Sequence, residues 1–476
     1  MVTASLYRQL VPAAPLHRRT DRDTYPSPEA ELRARLAARL RPPDARPRLR
    51  APTLVSSWQG TIDGLLMAFP SWGVADPALA AAYRSVITSM PTGTEFVVVH
   101  HRAQRASVEG WFAEAGHPAE NVIYVPLADY VNFTDWAEDA YASVLDGVDG
   151  SLCLMEPWEF PRGGDALIAE AVQDHTGVRA GQAPLIFQGG NCLVGDRFWL
   201  LGKDYFADSL ALVDGERPPV LAPPSTAPGD FVTSLYADYL DAGRELVVVG
   251  TDRPIALREL YGTRQGDDYF LDIAADGAGT YQPIFHIDMF LTLAGPAPGP
   301  GGRFRVLVGS PAAADRALGT QSPFALDDVY DAVASGLEGL GMEVVRNPLV
   351  HRPELGATFT LAELKAMAAR PGNQVLLEPL AELAAAGAVD GSAVRVRAWH
   401  HVTWNNCLVE AGTDRRRVYL PTFGHPPDDD LAPLDAAMAD LWAGLGFEVV
   451  LLGDFNPFAR RQGVVHCITK YLRRGA

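Results

Sequence analysis

From about residue 53 onward, short apolar runs alternate with amphipathic stretches. The run 64–69 is followed by helical spacing over 76–90, a strand pattern over 95–100, a second helix over 104–115 and another apolar run over 121–126. Short apolar runs bounded by turn residues read as buried strands, and apolar positions three and four apart read as helices packed on them. The alternation continues through 185–201, 245–250 and 303–309, then a helix over 325–340, a strand over 343–347, a helix over 434–445 and a strand over 448–452. It predicts an α/β fold.

One short pattern recurs. Gly339-Leu-Gly-Met-Glu-Val-Val345 and Gly444-Leu-Gly-Phe-Glu-Val-Val450 each end a helix and open a strand, which favours repeated small α/β units over unrelated domains. Pro- and Gly-rich breaks at 217–229 and 295–302 predict surface loops, the second a candidate lid. Residues 1–50 have a different texture, a polar extension with one short helix over 27–40 and arginines on a solvated face.

Composition narrows the class. With 48% hydrophobic and 21% charged residues, the 476-residue chain can bury a substantial core. Acidic residues outnumber basic ones by 58 to 40, a formal charge of −18 that disfavours nucleic acid and anionic membranes and suits a cationic ligand. Cys153, Cys192, Cys407 and Cys467 show no CxxC and no paired spacing, so neither a disulfide framework nor a zinc site is expected, and a reducing compartment is. The first residues lack the apolar core of a signal peptide, and no apolar stretch approaches bilayer length, so the expectation is a cytoplasmic protein.

Four stretches carry candidate chemistry. Around Cys467, the sequence from Gln462 to Lys470 predicts a tight turn into a short strand, which suits either a nucleophile at a pocket floor or a buried structural cysteine. In Phe285-His286-Ile287-Asp288, a strand would put His286 and Asp288 on one face, lining a pocket or facing solvent. Asp135, Trp136, Glu138 and Asp139 combine carboxylates with an aromatic ring, as guanidinium recognition requires, and also fit an acidic helix start with a half-buried Trp. Gln188-Gly189-Gly190-Asn191 permits a close backbone approach but lacks the Lys and Ser/Thr of a phosphate loop.

Taken in order, Trp136 to Asp139, Gln188 to Asn191, His286 to Phe290, Thr403 to Asn406, Tyr419 to Gly424 and Val465 to Thr469 resemble the guanidine-modifying enzymes of the pentein superfamily. That group includes agmatine, arginine and peptidylarginine deiminases and amidinotransferases. The resemblance spans about residues 60–475 and implies a five-bladed α/β propeller of ββαβ-type units, with residues 51–476 as the catalytic domain. It implies that Cys467 is the nucleophile, His286 the acid/base, and Asp288 and Asp139 the carboxylates gripping a guanidinium. Trp136, Gln188, Asn191 and Asn406 are then the further binding residues.

The implied activity is hydrolysis of a guanidino group of arginine, peptidyl or in a small derivative, to a ureido group through a thiouronium on Cys467. Amidino transfer to an amine and non-catalytic binding of arginine-like ligands are the alternatives. Agmatine and arginine deiminases carry Glu where this chain has Gln188; the Trp136/Asp139 spacing and His466-Cys467-Ile468-Thr469 followed by Arg473-Arg474 resemble the peptidylarginine branch and imply that branch or a bacterial relative. No calcium-loop pattern is present, and no metal or cofactor is expected. Asp428 to Asp430 read as a solvated loop or helix cap, and Arg415 to Arg417 as a solvated hairpin end.

Overall fold

The computed structural model describes residues 4–11, 49–215, 221, 226–255, 258–274, 280–320 and 326–475. One unit recurs in it: an antiparallel hairpin whose second strand leads through helix to a parallel third strand. Ala142–Leu145, Leu152–Glu156 and Arg179–Gln182 form one copy, joined by the helix Ile168–His175. Cys192–Val194, Phe198–Gly202 and Glu245–Val249 form the next. Leu291–Pro296, Phe304–Ser310 and Glu343–Thr360 form a third, and Leu408–Ala411, Arg416–Thr422 and Glu448–Asp454 a fourth.

The fifth copy is built from both ends of the chain. Thr469–Arg474 pairs antiparallel with Ile62–Phe69, which runs parallel to Glu95–His101, and Val122–Leu127 extends that sheet. The strand that follows Cys467 is thereby fixed in register with the first long strand of the protein.

The repeated Gly-Leu-Gly pattern is realised as expected. Asp327–Gly339 and Ala432–Gly444 are the helices, and Gly341 and Gly446 turn the chain at φ +84° and +88°, where an L side chain is strained. The helix Pro77–Ser89 starts on Asp76, whose carboxylate accepts from the Ala78 and Leu79 amides, and buries Leu79, Ala82, Tyr83, Val86 and Ile87 in the main core, beside Glu448–Asp454 of the fourth unit.

The third unit departs from the expected pattern. Its last strand was expected to stop at 347 but continues to Thr360, because Ala393–Thr403 pairs with it along the added length. The strand carries Pro348 and Pro353 along this length, and a bulge between Leu355 and Thr358 takes up Gly356. Leu260–Gln265 and Asp268–Ile273 complete a six-stranded sheet. Leu361–Ala368 and Leu377–Ala385 cover it in a separate cluster that includes Leu6, Leu10 and Val11. Residues 4–11 of the expected polar extension are therefore a short helix and its end, with three apolar side chains in a core; the helix expected over 27–40 lies outside the described residues.

The 295–302 segment is the turn of a hairpin closed by Ala297 N–H donating to Arg303 O, and Gly295 at φ +71° lies against Trp58. Asp428 is buried and pairs with Arg352 and Arg460, at 3.0 and 2.6 Å, and is not a solvated loop residue. Arg415 to Arg417 do lie at a hairpin end, but Arg416 stacks on Phe447 and Arg417 pairs with Glu448. Among the described residues, no helix is long and apolar enough to cross a membrane, and no cluster of His, Cys, Asp and Glu could hold a metal ion.

Candidate active site

Cys467 sits in a tight turn that opens directly into Thr469–Arg474, and its side chain is fully buried. Asn406 grips it twice: Oδ1 accepts the Cys467 backbone N–H at 3.2 Å, and Nδ2 donates toward Sγ at 3.1 Å. A donor aimed at sulfur favours the thiolate. Asp288 Oδ2 lies 3.7 Å from the same sulfur and accepts from it, so the resting thiol is oriented from two sides.

His286 and Asp288 are not on a strand, contrary to the periodicity argument. His286 is extended, but Ile287–Met289 is a single 3₁₀ turn, set by Asn191 Oδ1 accepting the Ile287 N–H at 2.9 Å. Gln282 Nε2 donates to the same oxygen at 3.0 Å. Asn191 is thus committed behind the turn, where it positions the two residues ahead of it. Both still border one space, defined by Gly190: a Cβ there would lie 2.5 Å from His286 Nδ1 and 3.1 and 3.2 Å from the two oxygens of Asp288. Gly190 is required by that close approach, and its missing side chain leaves a small cradle between imidazole and carboxylate.

Gln188 Oε1 accepts from His286 Nε2 at 2.9 Å, and the Tyr205 hydroxyl lies 3.4 Å from the same nitrogen. An amide oxygen only accepts, so Nε2 carries the proton and Nδ1 is the basic nitrogen of the neutral ring. Nδ1 faces the Gly190 space and Asp139 Oδ1, 3.6 Å away. Gln188 therefore selects a tautomer without adding charge.

The carboxylates all have cationic partners. Asp139 Oδ2 is 2.5 Å from Arg162 Nη2, and Arg162 Nε is 2.7 Å from Asp165. Glu138 Oε1 is 2.8 Å from Lys470 Nζ; burial raises its pKa, and Lys470 and His466 oppose that. Asp288 Oδ2 is 2.8 Å from His466 Nδ1. Burial pulls the His466 pKa down, but Glu138 and Asp288 outweigh it and hold the imidazole above its ordinary value. Asp288 Oδ1 and Glu138 Oε2 are buried with no hydrogen-bond partner, and the Asp288 oxygen is the one beside the Gly190 space.

The structure thus brings Cys467, His286, Asp288, Asp139, Gln188 and Asn406 together. Trp136 belongs to the support beneath them. It is buried against Gly463, where a Cβ would come within 2.2 Å of the ring, and packs edge-on with Phe458. Arg461 stacks over Trp72 at 3.9 Å, lies 5.5 Å from Trp136 and is 3.0 Å from Asp135. The aromatic and acidic stretch 135–139 does meet guanidinium groups, but they are the protein's own Arg461 and Arg162. Arg162, His466, Lys470, Tyr205 and Gln282 carry parts of this arrangement that the sequence reading assigned no role; only His466, beside the cysteine, had a visible signal.

No protein-family model matches the sequence, and no curated protein sequence matches it. Solved structures do match its fold. The agmatine deiminase of Enterococcus faecalis superposes with TM-score 0.52 at 14% identity over 90% of this chain and 97% of that one. A provisionally named agmatine deiminase from a structural-genomics effort gives 0.53 at 15% identity, over 90% and 96%. With these deiminases the chain shares a mixed α/β fold of sheets and helices.

Proposed function

We propose that the chain is a hydrolase of guanidino C–N bonds, converting an arginine-like guanidino group to a ureido group with release of ammonia. The observation that carries this reading is the Gly190 cradle, a space bordered by the basic nitrogen of His286 and the open oxygen of Asp288. Cys467 Sγ adjoins it through Asp288, and the five recurring units would surround it as the blades of a propeller.

In this mechanism Cys467 Sγ attacks the guanidino carbon while Asp288 and Asp139 hold its nitrogens, and Asn406 stabilises charge on sulfur. His286 Nδ1, once protonated, gives its proton to the departing nitrogen as the C–N bond breaks. The neutral ring then takes a proton from the water that attacks the thiouronium carbon, and the C–S bond breaks to free Cys467. Gln188 keeps the same nitrogen in use for both steps.

The test is mass spectrometry of products from blocked arginine peptides, free arginine and agmatine, and guanidine derivatives of lowered basicity, with and without an amine acceptor. A ureido product and ammonia without acceptor, abolished in Cys467→Ala, is the expected result. Product unchanged in Cys467→Ala would overturn the covalent route, and product only with an acceptor would assign amidino transfer.

A further inference from the structure

In the hydrolase reading Asp139 and Asp288 grip the guanidino group, and the two carboxylates follow one plan. Asp139 gives Oδ2 to Arg162 and turns Oδ1 toward His286 Nδ1, 3.6 Å away, the nitrogen that faces the Gly190 space. Asp288 gives Oδ2 to His466 Nδ1 at 2.8 Å and leaves Oδ1 without a partner beside the same space. Among the described residues, the other group on Asp288 Oδ2 is the Cys467 thiol, a weak donor at 3.7 Å that cannot by itself keep a carboxylate from turning. His466 is therefore the anchor that decides which Asp288 oxygen is offered to a ligand.

The anchor is itself fixed. The imidazole is buried edge to face against Tyr471, with ring centroids 5.5 Å apart, and the Tyr471 hydroxyl accepts the Val409 N–H at 3.3 Å. The His466 backbone N–H donates to Asn406 O at 3.4 Å, and its carbonyl accepts from both the N–H and the hydroxyl of Thr469, each at 3.2 Å. Asn406 thus holds His466 with its carbonyl and Cys467 with its side chain. A carboxylate oxygen only accepts, so Nδ1 carries a proton whether the ring is neutral or charged, and the contact needs no charge on the imidazole.

Resting on the hydrolase reading above, we propose that His466 is a positioning residue for substrate binding. It pins Asp288 Oδ2 so that Oδ1 receives a guanidino N–H. Nucleophile and anchor are consecutive residues on one turn, so the turn that carries Sγ also sets where the gripped nitrogen lies, as a near-attack geometry requires. Without the His466 donor, Asp288 turns and the guanidino group loses a pre-set acceptor in the ground state and in the transition state alike. Loss of such uniform binding raises KM and leaves kcat largely in place.

The experiment measures kcat and KM by ammonia release from a blocked arginine peptide and from agmatine, in the unmodified protein and three variants. His466→Leu removes the donor, His466→Asn keeps an N–H where Nδ1 stands, and His466→Gln carries its N–H one bond farther out. His466→Leu should raise KM by about tenfold, the scale of one hydrogen bond to an ionised group, with kcat changed by less than about threefold. His466→Asn should bring KM back to within about threefold of the unmodified value. A role in packing alone predicts the opposite order, since leucine is closer to the ring in volume than asparagine is. Should His466→Leu not fold, the same comparison is made between His466→Asn and His466→Gln, in which the displaced donor should leave KM high. An asparagine variant as impaired in KM as the others, or a leucine variant with the unmodified KM, would overturn the proposal while leaving the hydrolase reading intact. No ureido product from either substrate with the unmodified protein would remove both.

Discussion

Asn406 holds Cys467 at both its backbone and its sulfur, through an Oδ1 contact of 3.2 Å and an Nδ2 contact of 3.1 Å. Removing the amide leaves the thiol beside Asp288 without the donor that favours its ionised form. Asn406→Ala should lower the rate of Cys467 alkylation by iodoacetamide and reduce kcat by about a hundredfold, as loss of one oriented donor does elsewhere. Asn406→Asp keeps the volume and the backbone acceptor but sets an anion against the sulfur, so its alkylation should be slower still. Wild-type alkylation rates in both variants would show that the amide does not tune the thiol.

Gly190 offers a sharper geometric test. Adding one methyl group puts carbon 2.5 Å from His286 Nδ1 and fills the space shared with Asp288. Gly190→Ala is expected to lose turnover while costing only about 1–3 kcal/mol of stability, the usual range for overpacking a tight site. Circular dichroism and urea titration establish the fold, and product formation reads the site. Full activity in a folded Gly190→Ala protein would mean that the cradle is not where the reaction occurs.

The strands and helices around the site were legible because their signals are local. Apolar runs mark the strands, and the repeated Gly-Leu-Gly marks two helix ends where φ is positive. The His286 turn was not, since it depends on Asn191 capping Ile287 across the fold, and alternation cannot distinguish that turn from a strand. The meaning of Trp136 and its acidic neighbours was half legible. Residue type correctly announced guanidinium binding, but Arg162 and Arg461 lie in stretches with no periodic signal, so sequence could not show that the protein supplies those guanidinium groups itself.

His466 links stability to pH. Its pKa in the folded protein is raised by Glu138 and Asp288, against the opposing effect of burial, whereas an unfolded histidine titrates at about 6.5. The folded state therefore binds the proton more tightly, and the stabilisation is complete below about 6.5 and lost as pH rises through the folded value. Urea midpoints of the unmodified protein should fall as pH rises above about 6.5 by more than those of His466→Gln, which has no such proton to lose. Parallel pH profiles for the two proteins would contradict the ionic pairing with Asp288.

The pair between Asp135 and Arg461 fastens the segment bearing Asp139 to the one bearing Cys467, with the guanidinium lying on Trp72. Burial pushes the Asp135 pKa up to about 6 against the pull of Arg461, and lowers that of Arg461. The ion pair thus carries a large desolvation penalty that each partner relieves for the other. Arg461→Met should leave an uncompensated buried carboxylate and cost about 3–5 kcal/mol, read as a lower urea midpoint. Adding Asp135→Asn to Arg461→Met should recover part of that loss, because an amide needs no counter-charge. A double variant no more stable than Arg461→Met alone would show that the loss came from the packing of the guanidinium on Trp72 and not from the stranded charge.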